Sequence, residues 1–140
     1  MPNCSESTGK YKFVPLELAR QFEALAAERG VSKVARGEIA STQTDGGFFE
    51  AAKRANGRVE TLCKMPVRRG SDQTWWQRRN AFCKRHSAQK KARGEAVVEK
   101  SGKYKGTPTR RELGMLMWMC SNLSINDLRN MLPQVRRATA

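Results

Sequence analysis

Apolar residues recur at helical spacing along most of this chain, and strand-like alternation is weak throughout. Leu18, Phe22 and Leu25 follow Pro15 and precede Gly30, which predicts an amphipathic helix over Pro15 to Arg29. Ser32 can open a short helix over Val31 to Ala40, and a second short helix is expected over Phe48 to Ala55, closed by Asn56-Gly57. Met65-Pro66 and Arg69-Gly70 argue for a loop over Val59 to Ser71. Ser71 or Asp72 then caps a long helix from about Thr74 to Lys91, ended by Gly94, with Trp75, Trp76, Phe82, Cys83 and His86 on one face and Arg79 within the stripe.

Residues Glu95 to Gly106 read as a mobile basic loop or a weak hairpin. Thr109 and Glu112 have the spacing of a capping box before Leu113 to Cys120, a segment apolar on nearly every side. Such an element belongs at the buried centre, although one of Met115, Met117 and Met119 is expected to meet a partner. Ser124 caps a last helix with Ile125, Leu128, Met131 and Leu132 inward, stopped by Pro133. The expected class is all-α: a small irregular helical domain with basic loops. It divides into a flexible leader over 1–12, a single helical domain over 13–133 and a basic tail over 134–140.

Charge changes this picture more than composition does. Of the 140 residues, 39% are hydrophobic, enough for a modest core. The formal net charge is +14, and all of it falls between Lys53 and Arg111, where 18 Lys/Arg stand against 4 Asp/Glu. A segment of that density interleaved with aromatics is an electrostatic footprint for a polyanion. The expected contacts are Arg58, Lys64, Arg68, Arg69, Arg78, Lys84, Arg85, Lys90, Lys91, Arg93, Lys103, Lys105, Arg110 and Arg111, meeting nucleic-acid phosphates without reading bases. Acidic viral shell proteins are the alternative partner, because carboxylates and phosphates attract the same cations. Trp75 and Trp76 can stack on bases, but large aromatics on a helix stripe more often serve the core.

Sharper readings compete with these. Gly30-Val31-Ser32 resembles the turn of a helix-turn-helix regulator, with Ser32, Lys33 and Arg36 as its reading residues, yet Arg36 stands where an apolar residue is needed. Cys63, Cys83, His86 and Cys120 could form a zinc set, but they hold only one close pair, and that pair lies on an apolar stripe, so no metal is assigned. The four cysteines, Cys4 included, are too widely spaced for a disulfide scaffold and read as reduced thiols. No phosphate loop, dinucleotide fingerprint or nucleophile with a nearby base is present, so a non-enzymatic protein without cofactor or small-molecule substrate is expected.

Four blocks carry a resemblance: Gly47-Phe48-Phe49-Glu50-Ala51-Ala52-Lys53-Arg54-Ala55, Leu62-Cys63-Lys64-Met65-Pro66-Val67, Arg78-Arg79-Asn80-Ala81-Phe82-Cys83-Lys84-Arg85-His86, and Lys105-Gly106-Thr107-Pro108-Thr109-Arg110-Arg111-Glu112-Leu113 leading to Trp118. In this order they resemble a family of small, basic, uncharacterised proteins of tailed phages and large DNA viruses, over about Gly47 to Trp118. The resemblance implies a viral setting and brings no catalytic residues. Together these readings predict a virion-type protein, in the virion or intracellular, that binds nucleic acid. A minor capsid or cement protein is the second reading and a helix-turn-helix regulator the third. No stretch is long and apolar enough to cross a membrane, and Met1 to Lys12 lacks a secretory signal.

Overall fold

The computed structural model describes residues 13–33, 35–36, 44–93 and 97–140, without side chains at 88–93. The expected leader, and most of the helix expected over Val31 to Ala40, lie outside these residues. Every regular element within them is helical, so the all-α expectation holds. In chain order the helices are α1 (Leu16–Ala19), α2 (Glu23–Glu28), α3 (Phe48–Arg54), α4 (Val59–Leu62), α5 (Trp75–Arg93), α6 (Arg110–Leu116) and α7 (Ile125–Ala138).

The segment from Pro15 to Arg29 is less regular than its spacing predicts. A 3-10 turn over Arg20–Phe22 joins α1 to α2, keeping Leu18, Phe22, Leu25 and Ala26 buried on one side. Gly30 ends α2 with φ +77°, the left-handed conformation a glycine tolerates best. After it, Ser32 Oγ accepts from the Ala35 amide at 3.1 Å, the Arg36 amide donates to the Ser32 carbonyl at 2.8 Å, and the Arg36 Nε donates to the Val31 carbonyl at 3.0 Å. The rest of the helix expected there lies outside the described residues.

Helix α5 begins as predicted, but its cap is not Ser71 or Asp72. The Gln77 amide donates to Thr74 Oγ1 at 3.3 Å, while Gln77 Oε1 accepts from the Thr74 amide at 3.0 Å. Thr74 and Gln77 thus form a reciprocal capping box. Thr109 stands at the N-cap of α6, yet its side chain makes no capping hydrogen bond. Glu112 is buried instead and accepts from Ser121 Oγ (3.2 Å), the Asn122 amide (3.2 Å) and Asn122 Nδ2 (2.7 Å). A carboxylate that closes the following loop from inside cannot also reach back to its own helix start.

The segment expected as one helix over Leu113 to Cys120 divides. α6 stops at Leu116, and a tight turn through Met119, with φ +58°, brings the chain back to pair Cys120 with Phe13. Every residue from Glu112 to Ser121 is buried, which makes this segment the centre of the fold. Met115, Met117 and Met119 all face inward, so none of them waits for a partner as expected. Phe22, Phe48, Phe49, Trp75, Trp76, Leu128 and Leu132 join the same apolar cluster.

Pro133 does not stop α7, which runs on to Ala138 because Val135 and Ala138 pack on the core. A proline removes one backbone donor, and burial of the next turn outweighs that loss here. The Ser124 cap forms as predicted, accepting from the Asp127 amide at 3.1 Å, while Ile125 faces solvent rather than the core. The loop at 97–109 is a small hairpin-like turn with a bridge from Val98 to Pro108. Tyr104 Oη donates to Glu28 at 2.8 Å, and Lys103 pairs with the same carboxylate at 3.5 Å, which docks the loop on α2.

Candidate functional site

Two apolar elements meet at the centre, and their meeting point is covalent. Cys83 lies on the buried stripe of α5, Cys120 follows the Met119 turn, and the two form a disulfide across 37 residues of sequence. Neither is accessible, at 0% exposure each. Cys63 is also disulfide-bonded. The expectation of reduced thiols is therefore overturned. A zinc set from these cysteines fails for the same reason, because a sulfur held in a disulfide is not a thiolate ligand.

Arg79 secures the same junction. It is fully buried, four residues before Cys83 and on the same face of α5. Its Nε donates to the Trp118 carbonyl at 3.2 Å, its Nη2 to the Met119 carbonyl at 2.7 Å, and its Nη1 to Asn80 Oδ1 at 2.8 Å. The guanidinium also lies over the Trp76 ring, 4.6 Å from the centroid. These carbonyls follow α6, where intrahelical donors have run out, so a buried cation is well placed beside them. Burial lowers the Arg79 pKa to about 10, which leaves it charged at neutral pH.

Beside this closed junction lies an open one. A cavity of about 610 Å³ is walled by Phe48, Trp75, Phe82 and Trp118 and rimmed by Arg78, Arg85, Arg110 and Arg111. Trp118 is sandwiched between Phe48 and Phe82, with ring centroids 5.0 Å and 4.4 Å away, and its Nε1 donates to the Ala35 carbonyl at 3.2 Å. The His86 ring sits 4.1 Å from that of Phe82. Burial, with Arg111 and Arg85 adding repulsion, holds the His86 pKa below its ordinary value.

The predicted basic contacts fall on several elements. Arg78, Arg85, Arg110 and Arg111 converge on this cavity, the first two separated by two turns of α5. Arg110 also donates to the Gly30 carbonyl at 3.2 Å. Arg58, Lys64, Arg68 and Arg69 are exposed at the ends of α4 and in the loop after it, and Lys84 is exposed on α5. Lys103 and Lys105 belong to the loop docked on α2. Lys90, Lys91 and Arg93 lie on the last turns of α5, where side chains are not described.

Sequence reasoning missed the disulfide, the structural role of Arg79 and the inward turn of Glu112. A signal for the disulfide was present: Cys83 and Cys120 both lie on elements expected to pack against each other, which places two thiols at one interface. Arg79 lay inside the apolar stripe, and that position already separated it from the other cations.

A helical domain whose long basic helix is cross-linked to its buried centre is an oxidatively matured all-α protein. Residues 55–137 match the family described as Mimivirus sulfhydryl oxidase R596-like, C-terminal domain, and the chain belongs to that family. No curated protein matches the chain. The family confirms a large-DNA-virus relationship and replaces the expected family of basic phage and viral proteins. It also overturns the expectation of a non-enzymatic protein that binds nucleic acid, cements a capsid or acts as a helix-turn-helix regulator, because the family belongs to a thiol-oxidising enzyme. That expectation rested on charge density, which reports attraction to anions and carries no information about redox chemistry. Among the described residues no helix is long and apolar enough to cross a membrane, and no cluster of His, Cys, Asp or Glu is arranged to hold a metal ion.

Proposed function

We propose that this chain acts in viral disulfide formation, as the C-terminal module of a sulfhydryl oxidase system. The family match over 55–137 carries this reading, and the Cys83–Cys120 disulfide supports it. The overall chemistry joins two thiols as a disulfide, with their two electrons and two protons passing to dioxygen to give hydrogen peroxide. Cys83 and Cys120 are sealed from solvent, and a thiolate must approach a disulfide sulfur directly to exchange with it. In this reading that disulfide holds the module rigid, and the exposed cations draw in the acidic surface of a thiol substrate or of the catalytic unit.

The test is loss of free thiols from a reduced, unfolded substrate protein, followed with the catalytic unit of a viral sulfhydryl oxidase alone and with this chain added. The chain is expected to lower KM for the substrate, and added salt to weaken that effect because exposed charges are screened over about 10 Å at 0.1 M. A rate of thiol loss unchanged by the chain, both alone and with the catalytic unit, overturns the reading.

A further inference from the structure

The cavity beside Trp118 has the chemistry of a binding site that thiol oxidation does not require. We propose that it binds a small anion carrying a flat apolar ring, of the kind found in a nucleoside monophosphate or an aromatic carboxylate.

Charge is the first support. Four arginines line the cavity: Arg78 also donates to Gln73 Oε1 at 3.3 Å and Arg110 to the Gly30 carbonyl at 3.2 Å, while Arg85 is exposed. A guanidinium presents a planar fork of donors that matches phosphate and carboxylate oxygens, so arginines from two helices converging on one space favour an anion there. The wall opposite is aromatic, formed by Phe48, Trp75, Phe82 and Trp118, which gives a flat apolar group a surface to lie against. A volume of about 610 Å³ falls within the range of small-molecule sites, roughly 300–1,000 Å³.

Gly114 is the independent support. It stands inside α6, where alanine favours the helix more than glycine by about 0.5–1 kcal/mol. A Cβ built there would meet no atom of the described residues within 4 Å, so none of them requires glycine at this position. The room it leaves opens into the cavity, whose wall it forms. His86 reports on the same space. It is the only histidine in the chain, and burial, with repulsion from Arg111 and Arg85, holds its pKa down. A bound anion would offset that repulsion and move its titration upward.

Three probes separate the possible ligands: adenosine 5′-monophosphate, 2-naphthoate and inorganic phosphate. Each is titrated into the full chain and followed by tryptophan fluorescence, calorimetry and the His86 ring proton resonance. At least one ring-bearing probe is expected to bind saturably, at least tenfold tighter than phosphate, and to raise the His86 titration point. Which of the two binds assigns the anionic group. Gly114→Leu should project a side chain into the cavity, and Arg85→Ala should remove an exposed rim cation; each is expected to weaken binding at least tenfold with an unchanged circular dichroism spectrum. Absence of saturable binding by either ring-bearing probe overturns the proposal. So does equal affinity for phosphate, and so do folded variants that bind as the parent does. If Gly114→Leu does not fold, Arg85→Ala alone decides. The inference stands apart from thiol oxidation, because these titrations contain neither a thiol substrate nor an oxidase.

Discussion

Trp118 divides the molecule into two unlike halves. Its carbonyl faces the closed junction, where Arg79 Nε donates to it from 3.2 Å and the Cys83–Cys120 bond lies alongside. Its ring faces the open side, stacked between Phe48 and Phe82 at the wall of a 610 Å³ cavity. Helix α5 supplies both halves. Arg79 and Cys83 point into the closed junction, while Arg78, Phe82, Arg85 and His86 line the open one. The two sets sit on neighbouring faces of one helix, and the contrast shows how a buried anchor lets an adjacent face leave space unfilled. The closed junction is cross-linked and fully buried around Arg79, and four other arginines line the open one.

Removing the anchor should cost more than any change on the open side. Replacing Cys83 and Cys120 together by alanine is expected to lower unfolding free energy by about 4 kcal/mol, since a cross-link closing a loop of this length restricts the unfolded chain by that amount. Denaturant unfolding of oxidised and double-mutant protein measures it. A loss below about 1 kcal/mol would show that the closed junction holds without its covalent bond.

Arg79→Met should follow, with a loss of about 2–3 kcal/mol, because the Trp118 and Met119 carbonyls would remain buried without these donors. The measurement is the same denaturant titration. A neutral result would mean that water or a shifted side chain satisfies both carbonyls.

The smallest effect belongs to His86 on the open side. Its folded pKa lies below the unfolded value of about 6.5. Between the two, the unfolded chain holds more protons, so stability rises with pH and is lost as pH falls from about 6.5 through the folded value. His86→Gln should flatten that part of the stability profile below about pH 6.5 while leaving stability near pH 8 little changed. An identical slope in parent and variant would place the pH sensitivity elsewhere.

Much of the fold was legible because helical periodicity and burial agree along most of the chain. The central position of 113–120 was read correctly from apolar spacing, and so was the burial of Trp75, Trp76 and Cys83 on α5, but Phe82 and His86 turn to the neighbouring open face. Boundaries failed where a tertiary demand outweighed a local rule. Glu112 left its cap for the loop at Ser121 and Asn122, and Pro133 was carried within a helix by the buried turn after it. The cap that did form, Thr74 with Gln77, follows the same spacing rule as the one expected at Thr109 and Glu112. The difference is that Gln77 is exposed and free to turn back, whereas Glu112 is claimed by the interior.

The site was less legible than the fold. Net charge named fourteen cations without placing them; four of them converge on a cavity and others lie along α4, its following loop and the loop at 97–109. Convergence depends on the angle between α5 and α6, which spacing within either helix does not report. The same limit hid the disulfide, whose sulfurs lie 37 residues apart.

That sulfur pair also serves as a clock. With both sulfurs at 0% exposure, a reductant in solution reaches them only when the core comes apart. When reduction is fast compared with reclosing, the rate at which thiols become reactive is the rate at which the molecule opens, independent of reductant concentration. Persistence of the bond in a reducing medium then measures kinetic durability rather than redox potential.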